Sequence, residues 1–454
     1  MKIIAYYFWN NCNDFKYLLS ISSNTLGFIR DSEIENLIKD IIAPIANAAN
    51  QDKKKLKIFI IDNKQLNAFV TPGQKIFIFS GLILNSKSSN ALEGVIAHEL
   101  GHITGRHHIK IYQQLERSRA ITLAGIILGT AVSAMTGDPN AAAAIAGGAL
   151  STSGRSLLNF SRVQEGSADQ ASYSFLKKSG KSLCGIISFL ELLEDRQIYY
   201  QENAYTQSHP LTRERIRDAK NAAKNENCTT NEEIKKLNGI APIELTTNEK
   251  YKFIQAKLIG FTDPENTLNS IKNNSKFNDD QKNYALAIAN YKLFNLKKGN
   301  ELINKLIKKY PSNPYFYELK AQMLRENGFL KESLNKYLIV NKLLPNDPLV
   351  QIELAHTLLN LDSKKNLDKA IEKLLEAQKK ELENNKLWYL LSVAYGRNSE
   401  IGKSKYASAY SSYLKGDDAM ALSFIERAKK IIKKNSATWT KLINLENKIN
   451  LEKK

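Results

Sequence analysis

Pro311 and Pro345 stand 34 residues apart, as do Ala321 and Ala355, and Leu324 and Leu358. A fixed period of this size describes a helix-turn-helix unit that cannot bury its apolar face alone and must stack on copies of itself. Small residues recur where the two helices of a unit approach closely: Ala287, Gly299 and Pro311 in one repeat, Ala321, Ser333 and Pro345 in the next. Ala355, Ala370 and Ala377 continue the pattern after a three-residue insertion near Asp362-Ser363-Lys364. Trp388, Leu391, Ser392 and Tyr395 open a further repeat, and Ala409, Gly416, Ala421 and Ala428 suit a last one. Residues 245–454 are therefore expected to form a solenoid of about four or five units of the tetratricopeptide length. Its concave surface is expected to bind protein.

Nothing before residue 245 repeats this period, so a different domain precedes the solenoid. At 454 residues the chain is too long for one core. The formal charge of +19 raises the question of nucleic acid. The excess comes mainly from lysines scattered singly or in pairs through helical segments, with no arginine cluster and no aromatic-basic interleaving, so a nucleic-acid partner is not expected. Cys12, Cys184 and Cys228 lie far apart without CxxC spacing; they declare neither a disulfide framework nor a zinc ribbon, and leave the compartment open. Residues 1–27 form a separate N-terminal segment in which Asn and Asp interrupt the apolar run before a leader's hydrophobic region develops.

From Asp31 the pattern sharpens. Ile34, Leu37, Ile38, Ile41, Ile42 and Ile45 recur at helical spacing behind an Asp31-Ser32 cap. LKIFIID (56–62), LNAFV (66–70) and KIFIF (75–79) then predict a small antiparallel sheet. A helix of about twenty residues is expected from near Ser88, with Leu92, Val95, Ile96, Leu100 and Ile103 as its buried stripe. Two readings stand for residues 120–150, an apolar Gly/Ala-rich insert broken by GDPN: a buried or flexible hairpin over the site, or a segment dipping into a membrane interface.

That expected helix carries GVIAHELGHITGRHH, residues 94–108. Positions i and i+4 lie one above the other on a helix, so His98 and His102 can grip one ion from the same face. Glu99, about 100° further round, can reach a water beside that ion without binding it. The alternative is a pair of satisfied core histidines, which would bury Glu99 with no partner. A catalytic zinc needs three protein ligands, so one more must come from elsewhere. Glu165 and Asp169 share a helix face four residues apart in SRVQEGSADQ; Glu165 could complete the set and Asp169 could orient a ligand histidine, or both could line a solvated face. His107 and His108 read as helix-end cations or packing, and His356 as structural. The stretch Lys75 to Phe79 reads as an edge strand able to hold a substrate extended.

AHELGH, preceded by NAFVTPGQKIFIFSGL and followed by EGSAD and SHPLTRER, resembles the zinc peptidase family that includes the CAAX prenyl protease and HtpX. The resemblance covers about residues 28–225 by motif and the rest by architecture, and it is greatest to the family's repeat-bearing periplasmic branch. It implies an α+β zincin-like metallopeptidase domain at 28–235, followed by an all-α tetratricopeptide-repeat solenoid at 245–454. It implies one zinc ion held by His98, His102 and Glu165, Glu99 as general base and Asp169 as support. His209 and Arg215 match the family's H-P-x-x-x-x-R; His209 is implied as a fourth ligand that keeps the enzyme latent, and both as neighbours of the substrate carbonyl. The implied function is cleavage of misfolded or stalled envelope proteins, with the repeats docking on the outer-membrane assembly machinery. An adaptor or chaperone with a latent zinc site is the other reading. The resemblance places the chain in the periplasm or against the envelope.

Overall fold

The computed structural model describes residues 27–452 except 53–54, 72, 137–138, 200–208, 229–244 and 362. The leader-like segment before residue 27 and Cys12 lie outside the described residues.

Helix α1 (Ser32–Ala48) starts where Asp31 accepts a hydrogen bond from Ile34 N at 3.0 Å, and its isoleucine stripe is buried. The sheet contains β1 (Phe28–Ile29), β2 (Lys57–Ile61), β3 (Ala68–Thr71) and β4 (Lys75–Phe79), in the order β1-β2-β4-β3. It is mixed rather than antiparallel, because β4 runs parallel to β2 with Ile58 opposite Ile76 and Ile60 opposite Ile78. Those four isoleucines turn one face of the sheet toward the helices, and that long-range apolar match sets the pairing. Gly73 (φ 84°) and Gln74 (φ 60°) fold β3 back on β4. The edge is therefore β3, and Lys75–Phe79 is an interior strand, contrary to the sequence reading.

Helices α2 (Ser80–Asn85), α3 (Ser89–Thr104), α4 (His107–Thr136), α5 (Pro139–Lys178), α6 (Cys184–Tyr199) and α7 (Arg213–Ala222) follow. At 16 residues, α3 is shorter than expected, and it runs through the centre of the domain. Two glycines let its neighbours close on it. A Cβ at Gly94 would stand 2.7 Å from the Ile186 backbone of α6, and one at Gly101 would stand 2.7 Å from Ala168 O of α5. Residues 120–150 are not buried over the site; they form the far half of a long α4–α5 hairpin whose large apolar side chains are mostly exposed. No helix among the described residues is long and apolar enough to cross a membrane.

Past residue 245 come α8 (Thr247–Thr262), α9 (Pro264–Ser270) and five successive helix pairs. The pairs are α10 (Asp279–Lys292) with α11 (Leu296–Lys309), α12 (Pro314–Glu326) with α13 (Leu330–Leu343), α14 (Pro348–Leu359) with α15 (Lys364–Gln378), α16 (Asn385–Arg397) with α17 (Ile401–Leu414), and α18 (Asp418–Lys429) with α19 (Ala437–Glu452). Ala287, Ala321, Ala355 and Ala370 are fully buried, and a Cβ at Gly299 would come within 2.7 Å of Met323. These are the close approaches that the period requires.

The first core does not stop at residue 235. Tyr251, Ile254 and Leu258 of α8 pack into it, and Tyr251 donates to Ile83 O at 3.1 Å. Polar contacts tie the start of α1 to the repeats. Lys257 Nζ lies 2.6 Å from Asp31 and 3.1 Å from Glu33, the Tyr284 hydroxyl donates to Glu33 at 2.8 Å, and Ser32 donates to Asp347 at 2.6 Å.

Candidate metal centre

Helix α3 presents His98 and His102 one turn apart, and the close approach allowed by Gly101 brings the Glu165 turn of α5 against them. His209 arrives from the segment before α7, whose cap is Thr212 accepting from Arg215 N at 3.3 Å. All of these side chains are buried.

Four ligand atoms face one point. His98 Nε2 lies 2.9 Å from His102 Nε2, 3.3 Å from Glu165 Oε2 and 3.4 Å from His209 Nδ1. His102 Nε2 is 3.3 Å from Glu165 Oε1, and His209 Nδ1 is 3.1 Å from that same oxygen. Ligands held about 2.0–2.1 Å from a tetrahedral metal stand roughly 3.3 Å apart. The spacing thus fits one small cation surrounded by three imidazoles and a carboxylate, and no other part of the described chain gathers such a group.

The outer contacts aim these atoms inward. Asp169 Oδ1 lies 2.8 Å from His98 Nδ1, so that nitrogen keeps its proton and Nε2 turns a lone pair to the centre. His107 Nδ1 lies 2.9 Å from His102 Nδ1 and does the corresponding job for the second ring. On one continuous helix from Ser89, His107 would fall off the metal face, and in the sequence it reads as a helix-end cation or packing. The helix is not continuous. It ends at Thr104, Arg106 takes φ 51°, and α4 restarts at His107 with its ring folded over Gly105, where a Cβ would lie 2.1 Å from Nε2. Gly105 is the one sequence signal that could have suggested this.

Arg215 is buried and forks onto Asp169, Nε to Oδ2 at 2.7 Å and Nη2 to Oδ1 at 2.9 Å. Its Nη1 lies 3.0 Å from Glu165 Oε2 and donates to Pro210 O at 3.1 Å. The structure thus sets Arg215 behind the ligands, where it also fastens the His209 segment. Glu99 lies beside the cluster with both oxygens buried and without a hydrogen-bond partner among the described residues; His209 Nε2 comes to 3.6 Å. A buried carboxylate left in this way suits a group that meets a water or substrate atom at the centre.

The electrostatics follow from crowding. Burial opposes charge on His98, but its hydrogen bonds to Asp169 and Glu165 and their charges outweigh it and push its pKa up to about 9. Burial dominates at His102, with the neighbouring rings adding to it, and pushes that pKa down to about 3. Burial would raise Glu165 and Asp169. The histidines hold Glu165 well below the usual carboxylate range, and His98 and Arg215 lower Asp169. Burial raises Glu99.

Behind the site, Cys184 and Cys228 form a disulfide, 44 residues apart, which closes a loop containing both His209 and Arg215. The number and spacing of the cysteines do not predict this pairing. Their Cα atoms stand 5.2 Å apart only because α6 and the segment after α7 meet.

Fold and site together define a class: a zincin-like α+β peptidase domain followed by a tetratricopeptide-repeat solenoid. Residues 30–223 match the family described as Peptidase family M48, and the N-terminal domain is an M48 peptidase domain. The chain is 25% identical over 338 residues to the "Beta-barrel assembly-enhancing protease" of Escherichia coli (strain K12), covering 73% of this chain and 66% of that one. It therefore spans just under two thirds of that relative's length. It is 28% identical over 197 residues to the "Metalloprotease LoiP" of the same strain, covering 42% of this chain and 73% of that one, a match no longer than the peptidase domain. Among solved structures, yeast Tom70 is similar at 13% identity with a TM-score of 0.37, over 95% of this chain and 81% of that one.

Proposed function

We propose that this protein is a zinc-dependent endopeptidase that cleaves misfolded or stalled envelope proteins and uses its repeats to dock on a protein partner. The observation that carries the reading is the near-tetrahedral spacing of His98, His102, Glu165 and His209 beside an unpartnered, buried Glu99. His98, His102 and Glu165 would hold the metal, and Asp169 and His107 would orient the two rings. When bound, zinc supplies Lewis acidity toward a peptide carbonyl and makes a nearby water acidic near neutral pH. Glu99 would take that water's proton on a carboxylate oxygen as the water oxygen bonds to the peptide carbonyl carbon, and would pass the proton to the amide nitrogen as the C–N bond breaks. The outer edge of β3 pairs with the substrate main chain, which gives extended binding and broad side-chain tolerance. Arg215 reaches the developing oxyanion only by giving up part of its hold on Asp169 and Glu165.

His209 supports a second reading of the same site. With its Nδ1 at ligand distance from the others, His209 would take the fourth position of a bound metal, and the protein would rest latent until the His209 segment moves; a latent adaptor would look the same. The Cys184–Cys228 pair supports an oxidising compartment such as the periplasm. The name of the Escherichia coli relative supports a partner in outer-membrane assembly.

The test is zinc-loaded full-length protein with unfolded casein. Glu99→Gln should keep its zinc and lose cleavage; unchanged cleavage would remove the enzymatic reading. His209→Ala should cleave faster than wild type if latency holds, and a His209→Ala protein that binds zinc but stays inert favours the adaptor.

A further inference from the structure

The far half of the α4–α5 hairpin is built inside out. Gln114, Ser118, Thr122, Gly125 and Gly129 recur at helical spacing, and α4 turns this small or polar stripe toward α5. Gln114 donates to Ser156 at 2.9 Å, Thr122 to Ser153 at 3.2 Å, and Ser153 to the Ser118 carbonyl at 3.2 Å. A Cβ at Gly125 would stand 2.2 Å from Ala149 Cβ, so the helices touch through small residues. The large apolar side chains point away: Leu123 is 59% exposed, Ile127 65%, Leu128 60% and Leu150 56%. In water the hydrophobic effect drives the opposite arrangement, with leucines in the seam and hydroxyls outside. Small and hydroxyl-bearing seams with apolar exteriors are how helices pack among acyl chains.

Charge completes the picture. Residues 120–154 contain one charged residue, Asp138. Immediately below them, the Ser118–Ser153 and Gln114–Ser156 contacts bring Arg117, Arg119 and Arg155 to one level, and Arg106, Lys110 and Arg162 lie further down the same legs, all six exposed. Glu116, paired with Arg119 at 2.9 Å, is the exposed acid among them. These residues come from two separated segments that only the hairpin brings together, so no arginine cluster is visible along the sequence. An apolar arm carrying a single charge, above a ring of cations, matches a surface of anionic headgroups over hydrocarbon.

We propose that the α4–α5 hairpin docks this protein on an anionic phospholipid membrane, its tip among the acyl chains and its arginines among the headgroups. The α4 segment 120–136 rises ~26 Å, short of the ~30 Å hydrocarbon core, so the hairpin enters from one side. The same α5 that leaves the membrane at Arg155 carries Glu165 ten residues on, about 15 Å along the axis. The metal-ligating cluster thus stands close above the lipid surface. This inference uses neither the metal nor the peptidase reading.

Full-length protein floated on a sucrose gradient with vesicles tests it. Wild type should rise with vesicles of phosphatidylcholine and phosphatidylglycerol, and less with phosphatidylcholine alone or at high salt. Leu123→Ser/Ile127→Ser/Leu150→Ser should stay at the bottom. Arg117→Gln/Arg155→Gln should bind the anionic vesicles about 25-fold more weakly, roughly fivefold per cation. These positions are exposed, and unchanged helical circular dichroism would show that the variants fold. Wild type staying below with both vesicle types overturns the proposal, as does a serine variant that floats equally well. A wild-type dimer in lipid-free sedimentation, made monomeric by the serine changes without any flotation, would assign the apolar exterior to a second copy instead.

Discussion

Breaking the Cys184–Cys228 bond should destabilise the peptidase domain strongly while leaving its metal-ligating cluster in place. The bond spans 44 residues. Releasing a closed loop of that size restores about 13 cal/mol/K of chain entropy to the unfolded state, or ~4 kcal/mol at 25 °C. The folded state loses little, because Glu226 accepts from Ser182 Oγ at 2.7 Å and from Leu183 N at 3.0 Å and so holds the same segments together without the bond. A domain of about 200 residues melts roughly 2–4 °C lower per kcal/mol lost, so the Cys184→Ser/Cys228→Ser protein should melt about 8–16 °C below wild type. Calorimetry of both proteins with metal bound, and of wild type with a phosphine reductant, measures this. A thiol count on denatured wild type should find one free group, Cys12, before reduction and three after. A melting point within about 2 °C of wild type, with the thiol count as stated, would show that the bond does not restrain the loop in the unfolded chain.

Other perturbations follow from single contacts. Asp169→Asn weakens the aim of His98 and strands Arg215; metal affinity, read by chelator competition, should fall about 10–100-fold. Gly101→Ala drives a methyl group to 2.7 Å from Ala168 O and should cost about 1–3 kcal/mol in urea unfolding. Gly154→Ala, where a Cβ meets nothing within 4 Å, should instead stabilise by up to about 1 kcal/mol. Lys276 donates to Leu84 O at 2.6 Å, and burial, with Lys252 adding to it, pushes its pKa down to about 8. Because that lies below the unfolded value, the folded state sheds this proton first. The penalty for charging Lys276 is present at pH 7 and is relieved as pH rises from 8 toward 10.5. Lys276→Met should therefore be more stable than wild type at pH 7, with the difference shrinking through that window; a difference that stays constant with pH would refute the assignment.

The features legible in the chain were those written at short range. His98 and His102, and Glu165 and Asp169, each announce a shared helix face through i, i+4 spacing, and the repeats announce themselves by a period. What stayed hidden depends on contacts between distant segments. β4 takes an interior place because its isoleucines match those of β2 across the sheet, a pairing that no alternation within either strand encodes. The cysteine pair needed α6 to meet the segment after α7. His107 was hidden by a helix break of two residues, and the hairpin's reversed polarity by the fact that apolar content says nothing about which way a side chain points.

The knot of Asp31, Ser32, Glu33, Lys257, Tyr284 and Asp347 joins the two halves of the molecule through charges and hydroxyls largely withdrawn from water. Loosening it would strand several polar groups at once, so the solenoid is braced rather than tethered. A client gripped by the repeats is held at constant reach from His98 and His102, as in a jig. Which bond arrives there is then a matter of how much slack lies between the grip and the cut.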